Sequence, residues 1–228
     1  MGKRAVVATV VVVGVLAGAA AVADRVLHEQ TEQRLATELR DQIPGLDAEP
    51  DVTIEGFPFL TQVLAGELGQ VDVSAPEATV EGLLLEDVEV RLNEVSTDRP
   101  NVAGRAHMTA FTSLDSMAAA LDLPLDLTID GEHLVATTEL LGLPVEVLLL
   151  PTAGGQEVLI DIDAFRIGGA TVSAADLPSG FTDQLQGLSF PIEGLPEGLE
   201  LTEVTLEPDG AQLVAEGTDV VLEAQDVG

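Results

Sequence analysis

The stretch Leu125-Asp-Leu-Thr-Ile-Asp-Gly-Glu-His-Leu-Val-Ala-Thr-Thr138 decides the fold class. Asp130-Gly131 is a dipeptide suited to a tight hairpin turn, whose central positions require positive φ. The segments on either side, 125–129 and 133–138, read as strands, so an antiparallel pair is predicted. The same design recurs downstream. Val145–Leu150 and Val158–Ile162 flank Pro151-Thr-Ala-Gly-Gly155, and Leu199–Leu206 and Ala211–Leu222 flank Pro208-Asp209-Gly210. Upstream, Val71, Val73 and Ala75 alternate with Gln70, Asp72 and Ser74, and Val88, Val90 and Leu92 alternate with Asp87, Glu89 and Arg91. A period of two marks strands with one apolar face. Strands joined by hairpins exclude parallel βαβ units and leave an antiparallel sheet with a few helices, an α+β class.

Helical spacing appears in few places. Leu35, Ala36, Leu39 and Ile43 share one face of a segment running from Asp24 to Ile43, which Pro44-Gly45 ends. Short helices are expected over 61–68, stopped near Gly66 or Gly69, over 113–121, and over 181–188. Glycines at 66, 69, 82, 142, 168 and 169 interrupt the strands and permit the bends and bulges of a curved sheet. Such a sheet either wraps an amphipathic helix or encloses an apolar cavity. The runs Leu83-Leu84-Leu85 and Leu148-Leu149-Leu150 give the sheet apolar side chains on both faces.

The start of the chain has a different character. Lys3 and Arg4 precede an uncharged run, 5–23, made of eight Val, seven Ala, two Gly, one Thr and Leu16, and Asp24 follows it. A cationic leader and an apolar stretch ending Ala21-Val22-Ala23 form an export signal. Nineteen uncharged residues also reach across a bilayer core of roughly 30 Å. Residues 1–23 are therefore expected to be a cleaved signal peptide or a retained signal anchor. Residues 24–228 are expected to form a single domain beyond the cytoplasm, in the periplasmic space or on the outer face of the plasma membrane.

Charge and composition remove several function classes. Of 228 residues, 40 are Asp or Glu and 9 are Lys or Arg, a net charge of −31. Beyond residue 23 only seven arginines remain, so nucleic acid is excluded as a partner for want of clustered cations. Cysteine, tryptophan and tyrosine are absent, which removes disulfides, thiolate metal sites, aromatic cages and stacking platforms. A 46% hydrophobic content nonetheless demands a folded core. The three histidines, His28, His107 and His133, are isolated from one another, and no Gly-x-Ser-x-Gly, His-Glu-x-x-His or phosphate-loop pattern occurs. No enzyme, metal or cofactor is expected. Asp161, Asp163 and Glu157 read as a solvated strand face.

The six phenylalanines are the remaining candidates for a site. Phe57 and Phe59 flank Pro58 in a break of the alternating pattern, Phe111 follows a strand, and Phe165, Phe181 and Phe190 fall at element ends. They either pack the core or line a lipid-sized cavity and its mouth.

Asp51-Val-Thr-Ile-Glu-Gly-Phe-Pro-Phe-Leu-Thr-Gln62, followed by Val63-Leu64-Ala65-Gly66, resembles the LmeA-like phospholipid-binding family of actinobacterial envelopes. The resemblance rests on Gly56, Pro58, Phe59, Leu60, Gly66, Val71 and Val73, and continues through Leu195–Leu206 and the hairpin closing at Val221. It implies a curved antiparallel sheet wrapped around a long N-terminal helix, similar to tubular lipid-binding domains. It also implies binding of envelope phospholipids and support of envelope assembly, including lipomannan elongation in mycobacteria. The chain is thus expected to be a monomeric, non-enzymatic protein. It would hold phospholipid acyl chains in an apolar cavity near the membrane surface, through Phe57, Phe59, Leu60, Leu64, Phe111, Phe165, Phe181 and Phe190. The rival reading is a structural envelope protein that binds a protein partner and no lipid. Anionic headgroups find few cations here, so Arg91, Arg99, Arg105 or Arg166 would act on them locally.

Overall fold

The computed structural model describes residues 2–43, 45–80, 82–120, 126–140, 143–176, 188–192 and 195–222, with the side chains of α1 described from Val22 onward. Helix α1 spans Gly2–Gln42. The elements β1 (Asp51–Glu55), α2 (Phe59–Ala65), β2 (Glu67–Val80), β3 (Leu83–Ser96) and β4 (Val102–Ser113) follow. Next come α3 (Leu114–Ala120), β5 (Asp126–Asp130), β6 (His133–Leu140), β7 (Leu143–Ala153), β8 (Glu157–Ile167) and β9 (Ala170–Ser173). The chain closes with β10 (Leu188–Pro191), β11 (Leu199–Glu207) and β12 (Gly210–Val221).

Every described strand pairing is antiparallel, as the hairpins require. The first sheet runs β1-β2-β3-β4-β12-β11, and the second runs β10-β8-β7-β6-β5 with β9 also on β8. Both are open sheets. Gly131, at φ +67°, turns β5 into β6, with Asp130 opposite His133, and Glu207 faces Gly210 across the last hairpin. The α+β class read from the sequence is thereby met.

The first sheet curls around α1. All six of its strands send a buried apolar side chain into one cluster with Ala36 of the helix, among them Val52, Val71, Val95, Ala106, Val220 and Leu199. Leu35 and Leu39 pack against the same cluster, as the helical stripe predicts. Each buried Val or Leu contributes about 1.5–3 kcal/mol of transfer free energy. A second cluster, with Leu46, Ala75, Leu85, Val88 and Leu213, continues the same face toward the far end of β2 and β3.

The bends arise differently from the sequence expectation. Gly66 is the left-handed C-cap of α2, and Gly82, Gly168 and Gly169 occupy turns at positive φ. Gly142 lies outside the described residues. The positions that break the ladders are acidic: Asp87 (φ 50°), Glu94 (φ 57°) and Asp219 (φ 54°) adopt left-handed backbone within β3 and β12. Each is skipped in the pairing register, as between Val88 and Glu86 opposite Ala75 and Glu77. Only beside Asp87 does the register shift: β3 carries one extra residue against β4 between Glu86 and Glu89, which kinks it and deepens its twist. At Glu94 and Asp219 the register is kept, and the facing Gly69 and Gly104 are skipped with them. Across Glu94, whose left-handed backbone breaks the alternation without shifting the register, Leu92 and Val95, three apart, both pack inward.

Two short elements differ from expectation. Helix α2 starts at Phe59 rather than 61, after Pro58, and Leu68 belongs to β2. Of the helix expected over 181–188, residues 181–187 lie outside the described residues, and Leu188 opens β10. Among the described residues no helix is long and apolar enough to cross a membrane. Most of the uncharged run 5–23 precedes the described side chains.

Candidate functional site

Of the eight residues singled out from the sequence, the seven described ones separate into four places. Phe59 is 4% exposed, inside the cluster beneath α1, with its ring stacked on His28 at 5.1 Å between centroids and 8° between planes. Leu60 packs against the same cluster. Phe57, just before α2, and Leu64, within it, stand at the opposite extreme, 75% and 87% exposed. Phe111 lies on the face of β4 opposite buried Ala110, its ring over Gly210, where any side chain would collide with it. Phe165 and Phe190 share one face of the second sheet. Phe181 lies outside the described residues. The Phe57/Phe59 pair therefore lines no common pocket: one ring is core and the other is in solvent.

A polar seam explains why Phe59 is buried. β1 is an edge strand, and the backbone of Ile54 turns its N–H and C=O away from β2 toward α1. Glu32 Oε1 accepts the Ile54 N–H at 2.8 Å, and His28 Nε2 donates to the Ile54 carbonyl at 2.7 Å. One helical turn earlier, the Asp24 carboxylate accepts the N–H groups of Phe59 and Leu60, at 3.0 and 2.7 Å. Those amides open α2 and have no partner within it, and Pro58 supplies no side-chain cap. Asp24, His28 and Glu32 recur every fourth residue, so one face of α1 carries all three. Among the described residues no buried side-chain polar atom lacks a hydrogen-bond partner. Sequence reasoning missed this seam because it searched that face for apolar side chains. The four-residue spacing, running on into Ala36, was the available signal.

The second sheet presents the apolar surface. Register and alternation place Ile129, Leu134, Leu149, Ile160, Ile162 and Phe165 on one face. Val147, Val158, Ile167, Val172 and Phe190 extend it. Leu134 is buried, most of the others are half-buried, and Ile167 is 43% exposed. The opposite face carries Asp130, His133, Glu146, Asp161 and Arg166 around a small buried cluster of Val135, Leu148 and Ala164. The apolar face continues into the interior of the first sheet. Leu201 of β11 donates its N–H to the Gly155 carbonyl at 2.6 Å, and Ala153, Val158 and Ile192 pack against the cluster containing Leu201 and Leu213. The result is a gutter: its first half is filled by α1, and its second half is an open apolar face.

Polar chemistry lies elsewhere. Arg91 pairs with Asp72 at 2.9 Å, Arg105 with Glu94 at 3.3 Å, and Arg166 with Glu146 at 2.6 Å and Asp130 at 3.4 Å. Arg166 is held above its ordinary pKa, first by the hydrogen bond to Glu146 and then by that to Asp130. It stands on the face turned away from the apolar surface. Each histidine sits beside one carboxylate, His28 with Glu32, His107 with Glu216 and His133 with Asp163. Two open grooves, of ≈ 800 Å³ along Gln30, Arg34 and Asp41 and ≈ 660 Å³ around Asn93, His107 and Glu200, are lined mostly by polar and charged residues and by no large apolar side chain. Apolar chains would find contact on the second sheet and not in these grooves.

A family model described as LmeA-like phospholipid-binding matches residues 22–216. No curated protein and no solved structure matches the chain.

Proposed function

The chain belongs to the LmeA-like phospholipid-binding family, and from that premise we propose that it is an exported, non-enzymatic carrier of phospholipid acyl chains. Its seat for those chains is the open apolar face of β5 to β8, around Leu149, Ile160, Ile162 and Phe165. The continuity of this face with the interior of the first sheet is the observation that carries the assignment. Burying a methylene contributes about 0.8 kcal/mol, so ten of them give roughly 8 kcal/mol before ordering costs. Chain burial alone is then enough for binding. The pairing of Arg91, Arg105 and Arg166 with carboxylates argues for weak headgroup selection. Residence in the cell envelope and support of lipoglycan assembly belong to the same proposal, supported by family membership and by the cationic leader and uncharged run of residues 3–23.

Extraction of lipid from the full-length protein, purified in mild detergent and measured by native mass spectrometry, tests this reading. Phospholipid at a defined stoichiometry is the expected result. Protein that is consistently lipid-free, and that takes up no fluorescent phospholipid from vesicles, would overturn it.

A further inference from the structure

Three large apolar side chains stand in solvent at one end of the molecule: Phe57, Val63 and Leu64. Val63 and Leu64 lie on α2 and Phe57 precedes it, and α2 is bolted to α1 by the hydrogen bonds from Phe59 and Leu60 to Asp24. The direction of α1 at this point is fixed by its partners. His28 meets Ile54, and Thr37 meets Glu49 through its hydroxyl at 3.1 Å, so α1 runs antiparallel to β1. Followed backward from Asp24, the helix leads past α2 and away from the first sheet. It continues to Gly2, about 33 Å at a rise of 1.5 Å per residue, along the segment that carries no charge from 5 to 23. Val22 and Val26 are exposed on the side of α1 away from Asp24.

The end from which an uncharged helix departs is thus the end where Phe57 and Leu64 have no protein cover. Clustered exposed apolar side chains of this size mark interaction surfaces. We propose that the Phe57–Leu64 turn is a docking tip, seated in the boundary between headgroups and acyl chains of a phospholipid bilayer beside the emerging start of α1. Continuity with the uncharged segment makes a bilayer the fitting occupant, since one surface then receives both. Glu55, Glu67 and Asp98, exposed beside the tip, confine insertion to the apolar side chains, because carboxylates resist entry into the acyl region. The tip and the open face of the second sheet lie toward opposite ends of β2, so this inference stands independently of the acyl-chain seat.

The absence of tryptophan and cysteine makes single reporters unambiguous. Full-length Phe57→Trp and Thr152→Trp proteins, the latter reporting from the far end, are reconstituted into phosphatidylcholine/phosphatidylglycerol vesicles with and without brominated acyl chains. Phe57→Trp emission is expected to shift to shorter wavelength and to be quenched about two-fold by bromine, as for a ring ~5–10 Å into the interface. Thr152→Trp is expected to do neither. Unshifted, unquenched Phe57→Trp emission would overturn the proposal, as would equal quenching at both positions. Spin-labelled Leu64→Cys supplies the second reading: on vesicles the label should be open to oxygen and closed to a nickel chelate. Dipolar broadening between labels without vesicles would assign the tip to a second copy of the chain and overturn the proposal equally.

Discussion

Asp24 and Phe59, 35 residues apart in sequence, are joined by a 3.0 Å hydrogen bond from the Phe59 amide to a carboxylate that is 3% exposed. A short helix thus has its N-terminal amides satisfied by a side chain from another helix. The contact fixes three things together: the start of α2, the burial of the Phe59 ring against His28, and the angle at which α1 leaves the sheet.

Asp24→Ala removes the acceptor of two buried amides. Each buried donor left unsatisfied costs about 1–3 kcal/mol, so a loss of roughly 2–5 kcal/mol is expected if the two costs partly add. Asp24→Asn keeps one acceptor oxygen and should lie between wild type and Ala. Urea unfolding midpoints at constant slope check the order.

Glu32→Ala leaves the Ile54 N–H without its 2.8 Å partner on the outer edge of β1. The expected outcome is local. Amide exchange at Ile54 should accelerate by roughly ten-fold or more, the equivalent of at least ~1.4 kcal/mol of lost protection. Exchange at Ala110, in the middle of the first sheet, should change far less. Site-resolved hydrogen exchange reads both.

Ile160→Glu places a charge on the apolar face of the second sheet, and Thr152→Glu places one on the opposite, exposed face. An unpaired charge beneath an acyl chain costs more than ~1.4 kcal/mol, so Ile160→Glu should lower bound phospholipid at least about ten-fold. Thr152→Glu should leave it within two-fold of wild type, by the same burial argument. Lipid-to-protein ratios after extraction, with thermal midpoints recorded alongside, test the contrast.

Asp87 holds left-handed backbone at φ 50°, a conformation that costs an L-residue roughly 1–2 kcal/mol and glycine little. Asp87→Gly is expected to be neutral or mildly stabilising. Asp87→Val, β-branched at the same φ, should lose about 1–3 kcal/mol. Chemical denaturation of the two variants decides.

The legible parts of this fold were those where one local rule acts alone. The Asp130-Gly131 and Pro208-Asp209-Gly210 turns, the alternation through Val71, Val73 and Ala75, and the stripe Leu35, Ala36, Leu39 each gave an element that the structure contains. The kinks were not legible, because Asp87, Glu94 and Asp219 look like the outward half of an alternating strand and turn left-handed only in the assembled ladder. The phenylalanines show where the reading stops. Phe165 and Phe190 fall on one apolar face, but neither periodicity nor composition distinguishes Phe59, drawn inward by the Asp24 contact, from Phe57, two residues away and outside. That difference is made by a partner 35 residues upstream.

Strand β2, with its inner face from Leu68 to Val80, spans 14 residues, a contour of about 45 Å at ~3.3 Å each. Its first end carries the anchorage of α1 and its last end leads to the second sheet. If the start of α1 is the fixed point, as the proposed docking has it, this strand would work as a boom: acyl chains on the second sheet would be held farther out than a bilayer's hydrocarbon core is thick, presented to whatever lies across the gap instead of to the leaflet beneath.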